Sequence, residues 1–289
     1  MITLDTPNPR YVRRYLSGDD TIPGLAAALR AEDWGKAYRL LTVGRGTGFL
    51  GTSTKVERGE GIGVLTSVIY LSPFKASGVA NMCPFATDGC IESCLGEGTG
   101  RMSMPSSRRG RLRKTLLLHL FPLQAVAGLQ KEATALHKRA ERMGKRAAIR
   151  PNGTSDFDWE RWRGVLMDYT PGVVWYDYTK APRGARDLSV PNYTLTYSVS
   201  ERPSSVDDAR DYVRAGQGAA VVVAGADDSR SGAKETAQTV IESGSWMGMP
   251  TTDGDAHDYR PDDRGTLSVL YAKGRALLDR SGFVKRLAW

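Results

Sequence analysis

The sequence predicts an α/β fold: a TIM-barrel-like parallel β/α barrel, complete or partial, with an N-terminal helical appendage. Three observations carry this expectation. Strand-like apolar runs alternate with amphipathic helical stretches from about residue 60 onward, the pattern of parallel strands joined by crossovers. The chain has 289 residues, and one such barrel takes about 250. Polar residues gather directly after the strand-like runs, where barrels of this kind keep their chemistry. The expected division is an appendage over 1–60 and a barrel over 61–289.

The elements follow in order. Within Ile22 to Thr42, Leu25, Ala28, Leu29, Trp34, Ala37, Tyr38 and Leu41 recur at helical spacing, with Asp33 placed to cap the second part. Gly44 to Gly63 is glycine-rich but lacks the GxxxxGK[ST] order of a phosphate loop, so a connecting hairpin or loop is expected. Val68-Ile69-Tyr70-Leu71 reads as a strand stopped by Pro73. After a cysteine-bearing loop, Ser106 or Ser107 offers a cap for a helical tract reaching Gly144, interrupted at Pro122. Ala147-Ala148-Ile149 is a short strand, and a polar turn over 151–156 precedes a helix carrying Trp159, Trp162, Val165 and Leu166. Strands are expected at 173–176, 193–199, 219–223, near Met249 and at 267–271. Helices are expected at 204–216, at 233–241 and at the C-terminus.

Composition narrows the class. Hydrophobic residues make up 40% and charged residues 25%, a globular balance that excludes wholesale disorder and collagen. No run of eighteen apolar residues exists, so no spanning helix is expected. Met1 to Arg10, with Asp5, Pro7 and Pro9, lacks a secretory apolar core, which makes the cytoplasm the default expectation. The net charge of +8 is concentrated: residues 101–150 hold thirteen Lys or Arg against Glu132 and Glu141 alone. Arg101, Arg108, Arg109 and Arg113 head this tract as candidate anion-binding residues. They are expected either to screen a negative centre nearby or to grip an anionic ligand, nucleic acid or a host protein.

Cys83, Cys90 and Cys94 are the only cysteines and fall within twelve residues. An odd number cannot form a complete disulfide set. Clustered thiolates select zinc, copper(I) or iron–sulfur clusters. A four-iron cluster accepts three cysteines and leaves one iron open, and is the preferred expectation. Zinc would need a fourth ligand, such as His119, His137, His257 or an Asp, and three inert thiols are the plain alternative. His119 lies among leucines, the setting of a satisfied core histidine, and is the first candidate if a fourth protein ligand exists.

Other candidates sit after strands. Asn152, Ser155 and Asp156 are placed to bind a cofactor or ligand at the barrel mouth, or else to form a self-capping turn. Lys180 and Lys273 follow strands and are candidates to reach into the site as cations, or to form a Schiff base. Asp253, Asp255, His257 and Asp258 could hold a hard cation, but lack the calcium-loop pattern, so a surface turn is the expectation.

Asn81-Met82-Cys83-Pro84-Phe85-Ala86 with Cys90 and Cys94, Asn152-Gly153-Thr154-Ser155-Asp156, Asp253-Gly254-Asp255 with Asp258 and Arg260, and Ala272-Lys273-Gly274 together resemble a family of actinobacteriophage proteins with a three-cysteine loop. That resemblance spans roughly residues 60–275. It implies a phage origin and the host cytoplasm, and no particular activity. More loosely, the chain is similar to radical S-adenosylmethionine enzymes, which carry a three-cysteine loop after the first strand of a β/α barrel. That similarity implies a [4Fe-4S] cluster with S-adenosylmethionine as a candidate ligand of its open iron. The spacing here is Cx6Cx3C rather than Cx3Cx2C, and Asn152-Gly153-Thr154 stands where those enzymes have a Gly-Gly-Glu turn. The resulting expectation is a phage iron–sulfur protein, either a cluster-dependent enzyme or a non-enzymatic module binding nucleic acid or a host protein.

Overall fold

The computed structural model describes residues 5–42, 48–98 and 100–287. Its centre is one mostly parallel sheet. The strands are β1 (Leu50–Gly51), β2 (Val64–Ile69), β3 (Arg146–Arg150), β4 (Val173–Thr179), β5 (Tyr193–Ser198), β6 (Gly218–Ala224), β7 (Ser245–Trp246), β8 (Met249–Asp253), β9 (Leu267–Tyr271) and β10 (Lys285–Arg286). The spatial order is β1-β2-β3-β4-β5-β6-β9-β8-β7, with β10 beside β6. Pairing is parallel from β2 to β6 and on through β9 to β8. Only the short β1–β2 and β7–β8 pairs are antiparallel. The expected α/β class with parallel strands is present. The sheet is open, however: among the described residues no ladder joins its two ends into a ring.

The helices are α1 (Pro9–Leu16), α2 (Leu25–Arg30), α3 (Trp34–Thr42), α4 (Thr54–Glu57), α5 (Asp88–Glu92), α6 (Leu95–Gly98), α7 (Pro105–Leu120), α8 (Pro122–Arg142), α9 (Ser205–Arg214) and α10 (Arg230–Glu242). Strand alternation explains how they cover the sheet. Leu65, Ile69, Ala147, Ile149, Trp175, Tyr193, Leu195, Tyr197, Val221 and Val269 share one core with helix residues such as Leu116, Leu129 and Tyr212. The alternate residues Val64, Ala148, Val174 and Tyr176 form a separate small cluster capped by Tyr259. One face is therefore covered by the long helices, and the other by the chain that follows β8 together with the segment around α4. The helices α1–α3 do not stand apart, since Tyr15, Ile22, Leu25, Leu29 and Leu41 join the main core.

Local chemistry sets the boundaries. The predicted interruption at Pro122 is real: Phe121 takes φ −127° and ψ 63°, because the following proline ring disfavours a helical residue before it. Asp33 caps α3, its carboxylate accepting the Lys36 N–H at 2.9 Å. Pro105 rather than a serine opens α7, its fixed φ suiting the first helical position. Four elements differ from expectation. Part of the Gly44–Gly63 stretch, expected as a hairpin or loop, is helical, as α4 and a 3-10 helix over Arg58–Ile62. The first long strand runs Val64–Ile69 instead of 68–71. The segment Trp159–Val165 is a 3-10 helix, because side-chain bonds at Trp159 and Glu160 fix it. The C-terminal helix is a short 3-10 turn, Gly274–Leu278. Asp279 then accepts from Ser281 Oγ and Val284 N, turning the chain into β10. Gly44 and Gly46 of the glycine-rich stretch lie outside the described residues.

Candidate cysteine centre

Parallel pairing from β2 onward puts the carboxyl ends of the strands, and the loops that follow them, on one rim. The cysteine loop leaves that rim from β2. Its start is tied to α7, where the Ser72 N–H donates to Thr115 Oγ1 at 2.9 Å. Cys83 follows a turn in which Met82 N donates to Phe74 O at 2.9 Å. Cys90 lies on α5, where Thr87 caps the helix and accepts from Cys90 N at 3.4 Å. Cys94 falls between α5 and α6. All three thiols are free and half-buried.

Two flanking loops hold this segment. The turn after β3 latches onto it: Gly153 N donates to Ile69 O at 2.9 Å and Asp156 N to Met82 O at 2.8 Å. The Thr154 hydroxyl donates to Leu71 O at 2.5 Å. Only glycine fits at 153, since a Cβ there would stand 2.4 Å from a Val68 methyl carbon and 2.6 Å from the Tyr70 ring. After β5, Glu201 accepts from Gly89 N and from Thr87 Oγ1, each at 2.8 Å. Gly89 is equally constrained, because a Cβ there would lie 2.0 Å from Ser281 Oγ. Arg202 donates to Phe85 O from the same loop.

The thiols sense one another. Burial pushes the Cys83 thiol up to about 12, with the Phe74 N–H at 3.2 Å working against it and Asp156, Cys90 and Cys94 reinforcing it. Burial also raises the Cys94 thiol, opposed by the N–H groups of Gly96 and Glu97. Cys90 adds to the charge felt at Cys94. Among the described residues, no group of three or more His, Cys, Asp or Glu side chains converges to hold a metal ion.

The other candidates fall into separate places. Asn152 is a structural hub. Its Oδ1 accepts from Ser155 Oγ at 2.7 Å, Phe157 N at 3.0 Å and Trp159 Nε1 at 3.1 Å. Its amide donates to Phe157 O and to the fully buried Asp177. Asp156 accepts from Lys180 N and from Arg186 Nη1, each at 2.9 Å. Ser155 and Asp156 therefore cap no helix; the turn is used to hold the cysteine loop. Lys180 is buried, donates to Ser198 Oγ at 2.7 Å, and sits 4.8 Å from the Phe283 ring. Phe283 belongs to the small apolar cluster against which Cys90 packs, so Lys180 lies on the Cys90 side of the rim. Lys273 is elsewhere, paired with Asp255.

The basic tract divides. The Arg101 side chain lies outside the described residues. Arg108 pairs with Glu97 at 3.3 Å. Arg111, a member of the basic tract but not one of the candidate anion-binding residues, is 3% exposed and donates to Gly96 O at 2.7 Å and Met102 O at 2.9 Å, so it clamps the loop. Its only sequence signal is its place on the inner side of α7, among leucines. Arg113 is half-buried. Arg109 is exposed and makes no ion pair among the described residues. The acidic turn is neutralised by cations: Asp255 pairs with Lys55 and Lys273, and Asp258 with Arg150.

His119 stacks on Tyr11 with ring centroids 4.5 Å apart, and its Nε2 faces Met82 Sδ at 3.2 Å. Burial, with help from Arg14, lowers its pKa to about 4. A neutral imidazole in the fold and a titrating one at 6.5 in the unfolded chain stabilise the fold fully above pH 6.5. That contribution, about 3 kcal/mol, is lost as pH falls from 6.5 to 4. Denaturant unfolding across that range is expected to show a flatter pH slope for His119→Gln than for the wild type. Equal slopes would contradict the assignment.

Fold and site together define an α/β protein that carries three free thiols on the loop at the carboxyl edge of a parallel sheet, a loop latched by the turns after β3 and β5. The chain belongs to the Gene product 88 family, whose model matches residues 45–287. No curated protein and no solved structure matches it. No helix among the described residues is long and apolar enough to cross a membrane.

Proposed function

We propose that this is an iron–sulfur protein of phage origin acting in the host cytoplasm, holding one [4Fe-4S] cluster through Cys83, Cys90 and Cys94. The carrying observation is the set of three free thiols on one rim, two of them met by backbone N–H groups: Cys83 by Phe74, and Cys94 by Gly96 and Glu97. Free thiols pushed up by burial would stay protonated at neutral pH, whereas iron holds them as thiolates. The amide donors suit that charged form and would tune a bound cluster. Each cysteine of such a cluster takes a different iron, so its sulfurs stand further apart than sulfurs sharing one ion.

The open, parallel sheet reads as a partial barrel of the TIM type, with the cluster on its carboxyl rim. When bound, the cluster supplies an open iron that can coordinate a small ligand, S-adenosylmethionine among the candidates. The chain's own residues do the rest: Arg111, Glu201 and Arg202 fix the loop, and Lys180 donates to Ser198 on the same rim. One observation favours a binding module instead: exposed Arg109 and the exposed Lys131, Lys138 and Arg142 on α8 offer a basic surface to nucleic acid or a host protein. Protein purified without air is expected to be brown and to contain iron and acid-labile sulfide in near-equal amounts. A colourless, iron-free product, after reconstitution as well, would overturn the reading.

A further inference from the structure

The face of the sheet opposite the main helical core carries a second polar group, remote in sequence from the cysteines. Arg150, at the end of β3, places Nη1 3.0 Å from each oxygen of Asp258. The Tyr176 hydroxyl donates to the same carboxylate at 3.2 Å. Arg260, fully buried, bonds Ser268 Oγ at 3.1 Å and Asp263 at 2.7 Å. Lys55 of α4 approaches Asp255 at 3.7 Å, Lys273 pairs with the same oxygen, and Arg58 donates to the Asp255 carbonyl at 3.1 Å. Four cations, Arg150, Arg260, Lys55 and Lys273, thus face three carboxylates, with Arg58 on a backbone carbonyl beside them.

Asp263 Oδ2 is held by its ion pair with Arg260 and has no hydrogen-bond partner. Among the described residues, the Tyr178 hydroxyl and Arg150 Nε are likewise buried without a hydrogen-bond partner. They belong to one stack, with the Arg150 guanidinium 4.7 Å from the Tyr178 ring centre. A buried donor left unmet costs on the order of 1–3 kcal/mol. Surplus positive charge held together adds a like-charge penalty: burial and the nearby Arg260 and Lys273 all push the Lys55 ammonium down, against Asp258 and Asp255. The group is not sealed, because the Lys55 and Lys273 side chains are 30% and 35% exposed. Donors without acceptors, an excess of cations and a way in from solvent are the features of a site built for an anion.

We infer that this face binds a small molecule through an oxyanion group, a phosphate or a carboxylate, with Lys55 and Lys273 at the entrance and Tyr178 and Arg150 deeper. No cysteine takes part, so the inference stands whether or not iron is bound. A ligand that binds the folded chain raises its unfolding temperature in a saturable way.

The test is thermal unfolding of the full chain against inorganic phosphate and, separately, succinate, each matched to chloride at equal ionic strength. At least one of the two is expected to stabilise saturably beyond chloride, and which one does assigns the class. Tyr178→Phe removes a hydroxyl with no protein partner, so it is expected to keep the unligated unfolding temperature while weakening binding roughly tenfold. Lys55→Met is expected to weaken binding similarly, with Lys273→Met as a second variant should it unfold. No saturable stabilisation by either anion, or undiminished binding in Tyr178→Phe and Lys55→Met, would overturn the inference. Anion binding by an iron-free preparation would uphold it independently of the cluster.

Discussion

Changing any one of Cys83, Cys90 or Cys94 to alanine is expected to leave the purified protein without iron and sulfide, while its iron-free form stays folded. The three sulfurs are the cluster's whole protein anchor in this reading. With two left, a second iron is open to solvent ligands and the cluster is no longer retained. The apoprotein has little to lose, because each thiol is small, half-buried and free of a disulfide. Such a change costs on the order of 1 kcal/mol. Iron and sulfide content read beside the unfolding temperature separate the possibilities. Iron retained in all three variants would dismiss the ligand assignment. Unfolded variants would show a structural role instead.

The second large effect is expected from Arg186→Met. This guanidinium is buried and ties together four elements of the rim. Nη1 donates to Asp156 at 2.9 Å and to Thr179 Oγ1 at 3.0 Å. Nη2 donates to Glu160 at 2.7 Å and to the Tyr193 hydroxyl at 3.3 Å. Removing it leaves two carboxylates buried without their cation, with side chains only 10% and 5% exposed. A broken buried pair costs about 3–5 kcal/mol, which for a chain of this size lowers the unfolding temperature by on the order of 10 °C. Adding Glu160→Gln to the variant should restore part of the loss, because one of the stranded charges is then gone. A loss under about 1 kcal/mol in Arg186→Met would mean that the network is replaced by water at little expense. Since Asp156 also bonds Met82, the same variant should loosen the cysteine loop and raise its hydrogen exchange.

Much of this architecture was legible in the chain. Apolar runs such as 219–223 have no solvated alternative and mark buried parallel strands. Pro122 breaks a helix wherever it falls. The cysteines announce themselves by spacing and by the glycines around them. The polar turn over 152–156 was legible as important but not in its role, because its side chains look the same whether they face a ligand or hold a neighbouring loop. The choice depends on Ile69, Leu71 and Met82, whose carbonyls are invisible to pattern reading. Arg111 and Arg109 stand two places apart in one basic run, yet one is buried under the cysteine loop and the other lies in solvent.

The sequence by itself determined the kind of most elements, their order, and the clustering of the three cysteines in one glycine-rich segment, because these follow from local periodicity, proline and residue type. Tertiary structure alone decided that the sheet stays open, that Arg186 and Arg111 are internal ties, and that Lys55, Arg150, Tyr178 and Asp258 meet across about 200 residues of chain. Those outcomes rest on burial and on long-range pairing of charges, and the partner of a buried charge is fixed only when distant strands come side by side.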